Sequence, residues 1–237
     1  MQTRRIEFGH GTHVGLRREH NEDTYCAKPD LGLWLVADGM GGHDLGEVAS
    51  AIARDTVVQE FSAGRTLSES VQAAAQHIVD QSRARQSAMP MGTTLVATRI
   101  QDHQFEVAWV GDSRVYLWNG ELKQLTSDHS YVQELVDQGA ISAEQAKTHP
   151  HRNVVTQALG VTDPASLSVD TVSGELKSGE MLLLCSDGLT EEVDDEYIAH
   201  VLGQNLAPQE SVDHLILAAL DHGGSDNVTV LLVGEAA

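Results

Sequence analysis

The chain has 237 residues, a length that fits one domain or at most two. Its apolar share of 41% is ordinary for a globular protein and argues against a disordered or fibrous chain. Fifteen basic and 35 acidic residues give a formal net charge of −20. This charge disfavours nucleic acid and anionic membranes as partners, because both require a basic protein surface.

Apolar periodicity and capping signals predict the elements in chain order. A strand over Leu31–Ala37 comes first. Two long helices follow, one led by the capping box Asp44-Leu-Gly-Glu47 and the other by Thr66-Leu-Ser-Glu69. Short apolar runs then predict three strands, over Gly92–Ile100, Phe105–Val110 and Val115–Trp118.

The second half of the chain continues the mixture of helices and strands. The capping box Ser142-Ala-Glu-Gln145 predicts a short helix that Pro150 ends, and a longer helix is predicted over Pro208–Leu220. Strands are predicted over Met181–Cys185 and Val228–Val233. Because hairpin signals alternate with helices, the order predicts an α+β fold of antiparallel sheets covered by helices.

Residues 127–165 have little continuous apolar pattern and several turn signals. We interpret them as an insertion over one end of the sheets, a candidate flap. No linker or repeat divides the sequence, so residues 1–237 are predicted to form one catalytic domain with this insertion.

No segment is typical of a signal peptide or a membrane span. Met1–His10 lacks an apolar stretch, and no apolar run approaches the ~20 residues of a spanning helix. Two cysteines, Cys26 and Cys185, are too few for a disulfide framework. The sequence therefore predicts a cytoplasmic protein with reduced cysteines and no membrane association.

Several common catalytic motifs are missing from the sequence. It contains no P-loop and no Gly-x-Ser-x-Gly elbow, and Gly39–Asp44 fails the dinucleotide fingerprint at its sixth position. The spacing of the 12 histidines disfavours a zinc site. No arginine follows Cys185 closely, which favours a core residue there over a nucleophile.

Four aspartates stand at the ends of apolar strands. Asp38, Asp112 and Asp187 follow such strands, and Asp226 precedes one. Each alone is typical of a turn. Together they could cluster at one edge of the sheets, where two like charges ~4 Å apart cost ~4 kcal/mol at an effective dielectric of 20. Such a cluster requires protonation or cations.

Metal ions are the natural counter-charge for this cluster, because few basic residues lie near these aspartates in the sequence. Oxygen ligands prefer hard cations, so Mg²⁺ or Mn²⁺ is predicted rather than zinc. Gly39 has no side chain, and its backbone carbonyl could also approach a metal.

A second charged segment lies near the N-terminus, where Arg18 precedes Glu22 and Asp23. Two interpretations are open for it. It is a solvated loop, or it is a site in which a guanidinium binds phosphate through two parallel hydrogen bonds beside acidic residues.

At these residues the sequence resembles the metal-dependent serine/threonine protein phosphatases of type 2C, in their compact bacterial form. Six of the family's motifs occur in order across nearly the whole chain. They are Gly15-Leu-Arg-Arg18-Glu-His-Asn21-Glu-Asp23, Val36-Ala-Asp38-Gly-Met-Gly-Gly-His43, Met91-Gly-Thr-Thr94, Val110-Gly-Asp112-Ser-Arg114, Cys185-Ser-Asp187-Gly-Leu189 and Gly224-Ser-Asp226-Asn227-Val-Thr229. The resemblance implies a central β-sandwich of two antiparallel sheets flanked by helices on both faces, a four-layer αββα arrangement.

The resemblance also implies residue roles at the matching positions. Asp38 would bridge two metal ions, and the Gly39 carbonyl would complete the shell of the first ion. Asp187 and Asp226 would bind the second ion, and Arg18 would bind the substrate phosphate. Glu22 and Asp23 would hold metal-bound water, while Asp112, with Asp187, would bind a third and weaker ion.

Two departures from the family pattern stand out. Some members have a histidine directly after Asp-Gly as the proposed general acid, but Met40 stands there in this chain and His43 lies three positions further on. Related bacterial enzymes use a flap serine at the third metal, and the comparable position here is Asn153, a neutral and weaker ligand.

The predicted function is hydrolysis of phosphoserine and phosphothreonine in proteins by direct attack of a metal-bridging hydroxide. The alternative is a non-catalytic binding or sensing module that kept the phosphatase fold. Phosphorylated proteins are the expected substrates and a serine/threonine kinase the expected counterpart in signal transduction, with a monomer as the default state.

Overall fold

The described part of the chain, residues 6–41, 45–85 and 90–235 of a computed structural model, forms eleven strands and seven helices. The strands of the first half are β1 (Ile6–His13), β2 (Asp23–Lys28), β3 (Leu33–Met40), β4 (Gly92–Thr93), β5 (Leu95–Gln101) and β6 (Gln104–Val110). The later strands are β7 (Arg114–Trp118), β8 (Leu122–Gln124), β9 (Asp170–Glu175), β10 (Met181–Cys185) and β11 (Val228–Glu235).

These strands form two antiparallel sheets. The first sheet has the order β1-β11-β10-β7-β8, and the second has the order β2-β3-β5-β6-β9, with β4 paired to the end of β3. An apolar layer lies between the sheets, with Trp34, Val107, Leu184 and Leu231 among its buried side chains. The predicted α+β fold with two antiparallel sheets is confirmed.

Helices cover both outer faces of this sandwich. The pair α1 (Leu45–Ser62) and α2 (Leu67–Ala84) packs on the second sheet, and α5 (Asp187–Thr190), α6 (Asp195–Leu202) and α7 (Pro208–His222) pack on the first. Separate apolar clusters fill the two helix–sheet interfaces. The result is the four-layer arrangement that the family resemblance implies.

Most predicted elements are present with small shifts in their bounds. The predicted strand over Leu31–Ala37 begins later, because Pro29–Leu31 form a 3-10 turn that ends at Gly32 with a φ of 61°. The predicted strand over Gly92–Ile100 is divided at Thr94, whose amide donates to the carbonyl of Asp38 instead of a ladder partner. The capping boxes at Thr66 and Ser142 are formed, whereas Asp44 lies outside the described residues.

Strands β1, β2 and β9 and helices α3 (Tyr131–Asp137), α5 and α6 were not predicted. In β1 the reason is its contact with α7. A Cβ on Gly9 would lie 2.5 Å from the backbone of Gln209, and one on Gly11 would lie 2.6 Å from Ile216. Glycine is required there because the helix approaches closely, and this removes the usual side-chain pattern of a strand.

The segment 127–165 lies between β8 and β9 and contains α3 and α4 (Ala143–Lys147). Its two ends are fixed to the sheets. The His129 amide donates to the carbonyl of Gly111, and the fully buried Leu159 forms a bridge with Thr93. These anchors hold the segment beside the ends of β4 and β6, and its role as a flap stays a prediction.

Candidate active site

The strand register brings acidic side chains from distant parts of the sequence to one end of the sandwich. Asp23, at the start of β2, lies directly opposite Asp38, near the end of β3. In the other sheet Asp187 follows β10 and Asp226 precedes β11. Because these two strands are antiparallel, both aspartates lie at the same end of the strand pair. The carboxyl of Asp38 interacts with those of Asp23, Asp187 and Asp112.

The backbone at Asp38 and Gly39 is fixed by neighbouring segments. The carbonyl of Asp38 accepts hydrogen bonds from the Thr94 amide and the Thr93 hydroxyl, both at 2.8 Å. The amide of Gly39 donates to the carbonyl of Glu22 at 3.1 Å. A Cβ on Gly39 would lie 2.1 Å from the Gly46 carbonyl oxygen, so only glycine lets α1 approach β3 here.

Asp23 connects the two sheets through hydrogen bonds. Its Oδ2 atom accepts from the hydroxyls of Ser186 at 2.8 Å and Thr229 at 2.7 Å, both from the opposite sheet. Its Oδ1 atom is buried and has no hydrogen-bond partner in the described residues, and the same holds for Oδ1 of Asp187. Buried carboxylate oxygens without partners are costly unless a ligand binds them.

The pKa values of these carboxyls also indicate that the cluster requires added positive charge. Burial, with help from neighbouring carboxyls, raises the pKa values of Asp38 and Asp112 well above the ordinary range. Burial also raises the pKa of Asp187, and that of Asp23 to about 7, although the hydroxyls on Asp23 act in the opposite direction. The carboxyls cannot all be ionised at neutral pH without added positive charge.

A hard divalent cation fits this set of donors. The oxygens are the ligand type that Mg²⁺ and Mn²⁺ prefer, and two of them are orphaned. Within residues 6–41, 45–85 and 90–235, however, no three acidic, histidine or cysteine side chains already stand in a ligand arrangement. A metal centre would therefore require small rotations of these carboxyls and further ligands from water or backbone carbonyls.

Arg18 joins the cluster from the loop between β1 and β2. Its Nη2 atom donates to Asp226 Oδ2 at 2.6 Å, while the guanidinium stays half exposed, with 52% of the side chain accessible. The bond to Asp226 raises the pKa of Arg18. Arg18 is thus a cation at the mouth of the acidic site, and one face of it remains available to solvent.

Glu22 lies at the N-terminus of α1. Its carboxylate accepts a hydrogen bond from the Gly46 amide, and partial burial raises its pKa. Its own amide donates to Oδ1 of Asn227 at 2.7 Å. Within this segment Asp23 is buried and Glu22 is partly buried, whereas Arg18 is exposed and bonded to Asp226, so a phosphate site at Arg18 stays a prediction.

Asp112 follows β6 after Gly111, whose φ of 105° turns the chain sharply. The carboxyls of Asp187 and Asp128 raise the pKa of Asp112 further, and Arg114 lowers it. Arg114 itself binds both oxygens of Asp128, with a shortest distance of 2.7 Å. The charge of Arg114 is therefore largely committed to Asp128 rather than to the cluster.

Some predicted residues are not brought into the cluster by contacts. Asn153 is exposed in the 127–165 segment, and no hydrogen bond joins it to Asp112 or Asp187 in the described residues. His43 lies outside those residues. Cys185 is fully buried with its pKa raised to about 12, which confirms a core residue there and disfavours a thiolate nucleophile.

The sequence analysis missed Glu191, whose pKa is raised to about 7 by partial desolvation and then by Asp187, although the residue reaches solvent. Glu191 lies four residues after Asp187, about one helical turn, and this spacing could have indicated from the sequence that the two carboxyls are neighbours. The hydroxyls of Ser186 and Thr229 lie in recognised motifs, but their pairing with Asp23 is a tertiary contact.

Comparison with known proteins gives consistent matches. Residues 11–219 match the family model described as "Protein phosphatase 2C". The serine/threonine phosphatase Stp of Listeria monocytogenes is 40% identical over 236 residues, covering 94% of this chain and 93% of that protein. Protein phosphatase PhpP of Streptococcus pneumoniae is 37% identical over 240 residues, covering 94% of each.

Solved structures match equally well. The serine/threonine phosphatase PstP/Ppp of Mycobacterium tuberculosis superposes with a TM-score of 0.90 at 36% identity, over 98% of this chain and 99% of that one. The PstP catalytic domain in complex with two manganese ions superposes with a TM-score of 0.87 at 34% identity, over 99% and 100% of the two chains.

Proposed function

The chain belongs to the protein phosphatase 2C family, and on that premise we propose that it hydrolyses phosphoserine and phosphothreonine in proteins with two Mn²⁺ or Mg²⁺ ions. The observation that carries this proposal is the crowding of carboxyls at one end of the sandwich, with two buried oxygens, Oδ1 of Asp23 and Oδ1 of Asp187, that have no hydrogen-bond partner in the described residues. The matching catalytic domain of the serine/threonine phosphatase PstP, solved in complex with two manganese ions, supports the choice of metal.

Asp38, Asp187, Asp226 and the Gly39 carbonyl would hold the two ions. Glu22 and Asp23 would orient water beside them, and Asp112 with Asp187 would hold a third, weaker ion. When bound, the ions lower the pKa of water toward neutrality and neutralise charge on the phosphate.

The chain's own residues bind and orient the substrate. The Arg18 guanidinium can bind two phosphate oxygens through parallel N–H groups, and half of its side chain is exposed. A phosphate bound to Arg18 would lie near the carboxyls, because Arg18 also contacts Asp226. In-line displacement would require the seryl or threonyl oxygen on the side away from the attacking water. The inert Cys185 agrees with hydrolysis that forms no phosphoenzyme.

The alternative of a non-catalytic binding module is not favoured, because none of the aspartates that the family motifs require is replaced in this sequence. We propose a monomeric cytoplasmic enzyme that reverses a serine/threonine kinase in signal transduction and has no nucleic-acid partner. None of the helices in the described part of the chain has the length and apolar character to cross a bilayer.

The test is phosphate release from a phosphothreonine peptide with Mn²⁺ and with EDTA, using wild type, Asp38→Asn and Asp102→Asn. Asp102 lies in the hairpin turn at the opposite end of the sandwich and serves as the charge-matched control. We expect Mn²⁺-dependent release that Asp38→Asn abolishes and Asp102→Asn keeps. A folded wild type that binds Mn²⁺ without releasing phosphate would identify a binding module instead.

A further inference from the structure

Asn227 lies directly after Asp226 and is almost fully buried, with 5% of its surface exposed. Its side chain contacts three points of the loop that carries Arg18. Nδ2 donates to the carbonyls of Val14 at 2.8 Å and His20 at 2.9 Å, and Oδ1 accepts from the Glu22 amide at 2.7 Å.

The carboxamide uses both of its N–H donors and its oxygen in these bonds. No other side chain of this size offers two donors and one acceptor. Aspartate keeps the acceptor but would place a carboxylate oxygen against two carbonyl oxygens. Serine is too short to contact all three backbone groups.

A second set of contacts joins the same loop to Asp226. The backbone amide of Asn227 donates to Asp226 Oδ1 at 2.8 Å, and Asp226 Oδ2 accepts from Arg18. A Cβ on Gly15 would lie 2.2 Å from the Asp226 carbonyl, so the two segments touch along their backbones. The 14–22 loop therefore contacts Asn227 through its backbone and Asp226 through Arg18, and Asn227 and Asp226 are also bonded to each other.

We propose that Asn227 is a positioning residue that holds the 14–22 loop in register with Asp226, so that Arg18 meets a phosphate bound beside the carboxyls. The inference rests on the proposed phosphatase function and adds to it the group that sets the place of the phosphate-binding arginine. Displacement of a substrate-orienting group by about 1 Å can lower a rate by about 10²-fold.

The test compares Asn227→Asp and Asn227→Ser with Asn119→Asp, a substitution of the same charge in the exposed β7–β8 turn. The readouts are KM for a phosphothreonine peptide and the inhibition constant of inorganic phosphate. We expect both to rise about tenfold or more in the two Asn227 variants. Asn119→Asp should change each constant less than twofold.

A double-mutant cycle with Arg18→Ala separates positioning from general structural damage. If Asn227 acts through Arg18, Asn227→Ser should add less than a twofold change once Arg18 is absent. An equal loss in both backgrounds would overturn the proposal. An active wild type with unchanged phosphate inhibition in Asn227→Asp would also overturn it, whereas an inactive wild type would refute the proposed function instead.

Hydrogen exchange provides a readout that does not depend on activity. We expect faster amide exchange in residues 14–22 of Asn227→Ser, with protection of β11 kept. Loss of protection throughout β11 in both Asn227 variants would overturn the local role, because Asn227 would then determine the fold as a whole.

Discussion

The two ends of the β-sandwich differ in how closely their charged side chains are crowded together. At the end where Asp23 and Asp38 face each other, carboxyls are crowded, their pKa values are raised, and two buried oxygens have no partner in the described residues. At the other end β5 turns into β6 through the exposed residues Gln101 and Asp102, and His103 lies 3.3 Å from Glu235. Charge there is exposed or paired.

The difference separates the part of the molecule that supplies stability from the end at which we propose the chemistry. The same strands run to both ends, and the three apolar layers between them hold the fold. Repulsion among the carboxyls is a cost at the acidic end, and removing one of these charges would relieve it. Substitutions at the two ends should therefore differ in their effects on phosphopeptide turnover and on thermal stability.

The largest contrast is expected from Asp187→Asn and Asp102→Asn. Asp187→Asn should lower phosphopeptide turnover by about 10³-fold or more, since a lost metal ligand removes about 4 kcal/mol of transition-state stabilisation. In EDTA the same variant should melt higher, by about 2–4 °C for each kcal/mol of relieved repulsion. Phosphate release and thermal melting measure both effects. An Asp102→Asn variant with equal loss of turnover would contradict the division between the two ends.

A smaller contrast is expected between the arginines of the two ends. Arg18→Ala should lower kcat/KM by about 10²-fold, the cost typical of one lost charge-stabilising donor, and Arg18→Lys should recover part of it. Arg99→Ala, which removes a guanidinium 5.9 Å from the Phe61 ring centroid, should leave kcat/KM within twofold. Steady-state kinetics on a phosphopeptide decide the outcome, and equal losses at both positions would remove the special role of Arg18.

The pH dependence of stability should sharpen the comparison further. The folded-state pKa of Asp23 is raised to about 7 from 3.8, so folding binds a proton and the contribution of this group to stability falls as pH rises between these values. In EDTA, Asp23→Asn should gain stability over wild type as pH rises from 5 to 8, by up to about 3 kcal/mol. Denaturant titrations at each pH measure the difference, and a gap that is constant with pH would refute the shift.

The smallest effect is expected in the 127–165 segment. Asn153 is exposed and makes no hydrogen bond to the acidic cluster in the residues that the structure describes, so Asn153→Ala should change turnover less than about threefold. A Mn²⁺ titration of activity would show a role at a third ion as a shift of the half-saturating concentration. A loss comparable to that of Arg18→Ala would place Asn153 in the site.

The sequence predicted elements whose signal is local and missed those that depend on distant contacts. Met181–Cys185 has the predicted bounds because it is a continuous apolar run, while β1 was missed because α7 requires glycine at positions 9 and 11. The site aspartates were identifiable from their positions beside strands. The hydroxyls that bind Asp23 were not, because they lie 163 and 206 residues away in the sequence.

Strand β11 is synthesised after all the other described strands, yet it lies between β1 and β10 in its sheet. While the ribosome is still adding residues 226–235, β1 has no neighbour to pair with, and Asp226 and Thr229 are missing from the acidic end. A nascent chain at that stage cannot assemble the site, because its completion requires the longest-range strand pairing in the molecule. The proposed site is thus complete only once residues 226–235 are present, and a chain that lacks them also lacks Asp226 and the strand that pairs with β1.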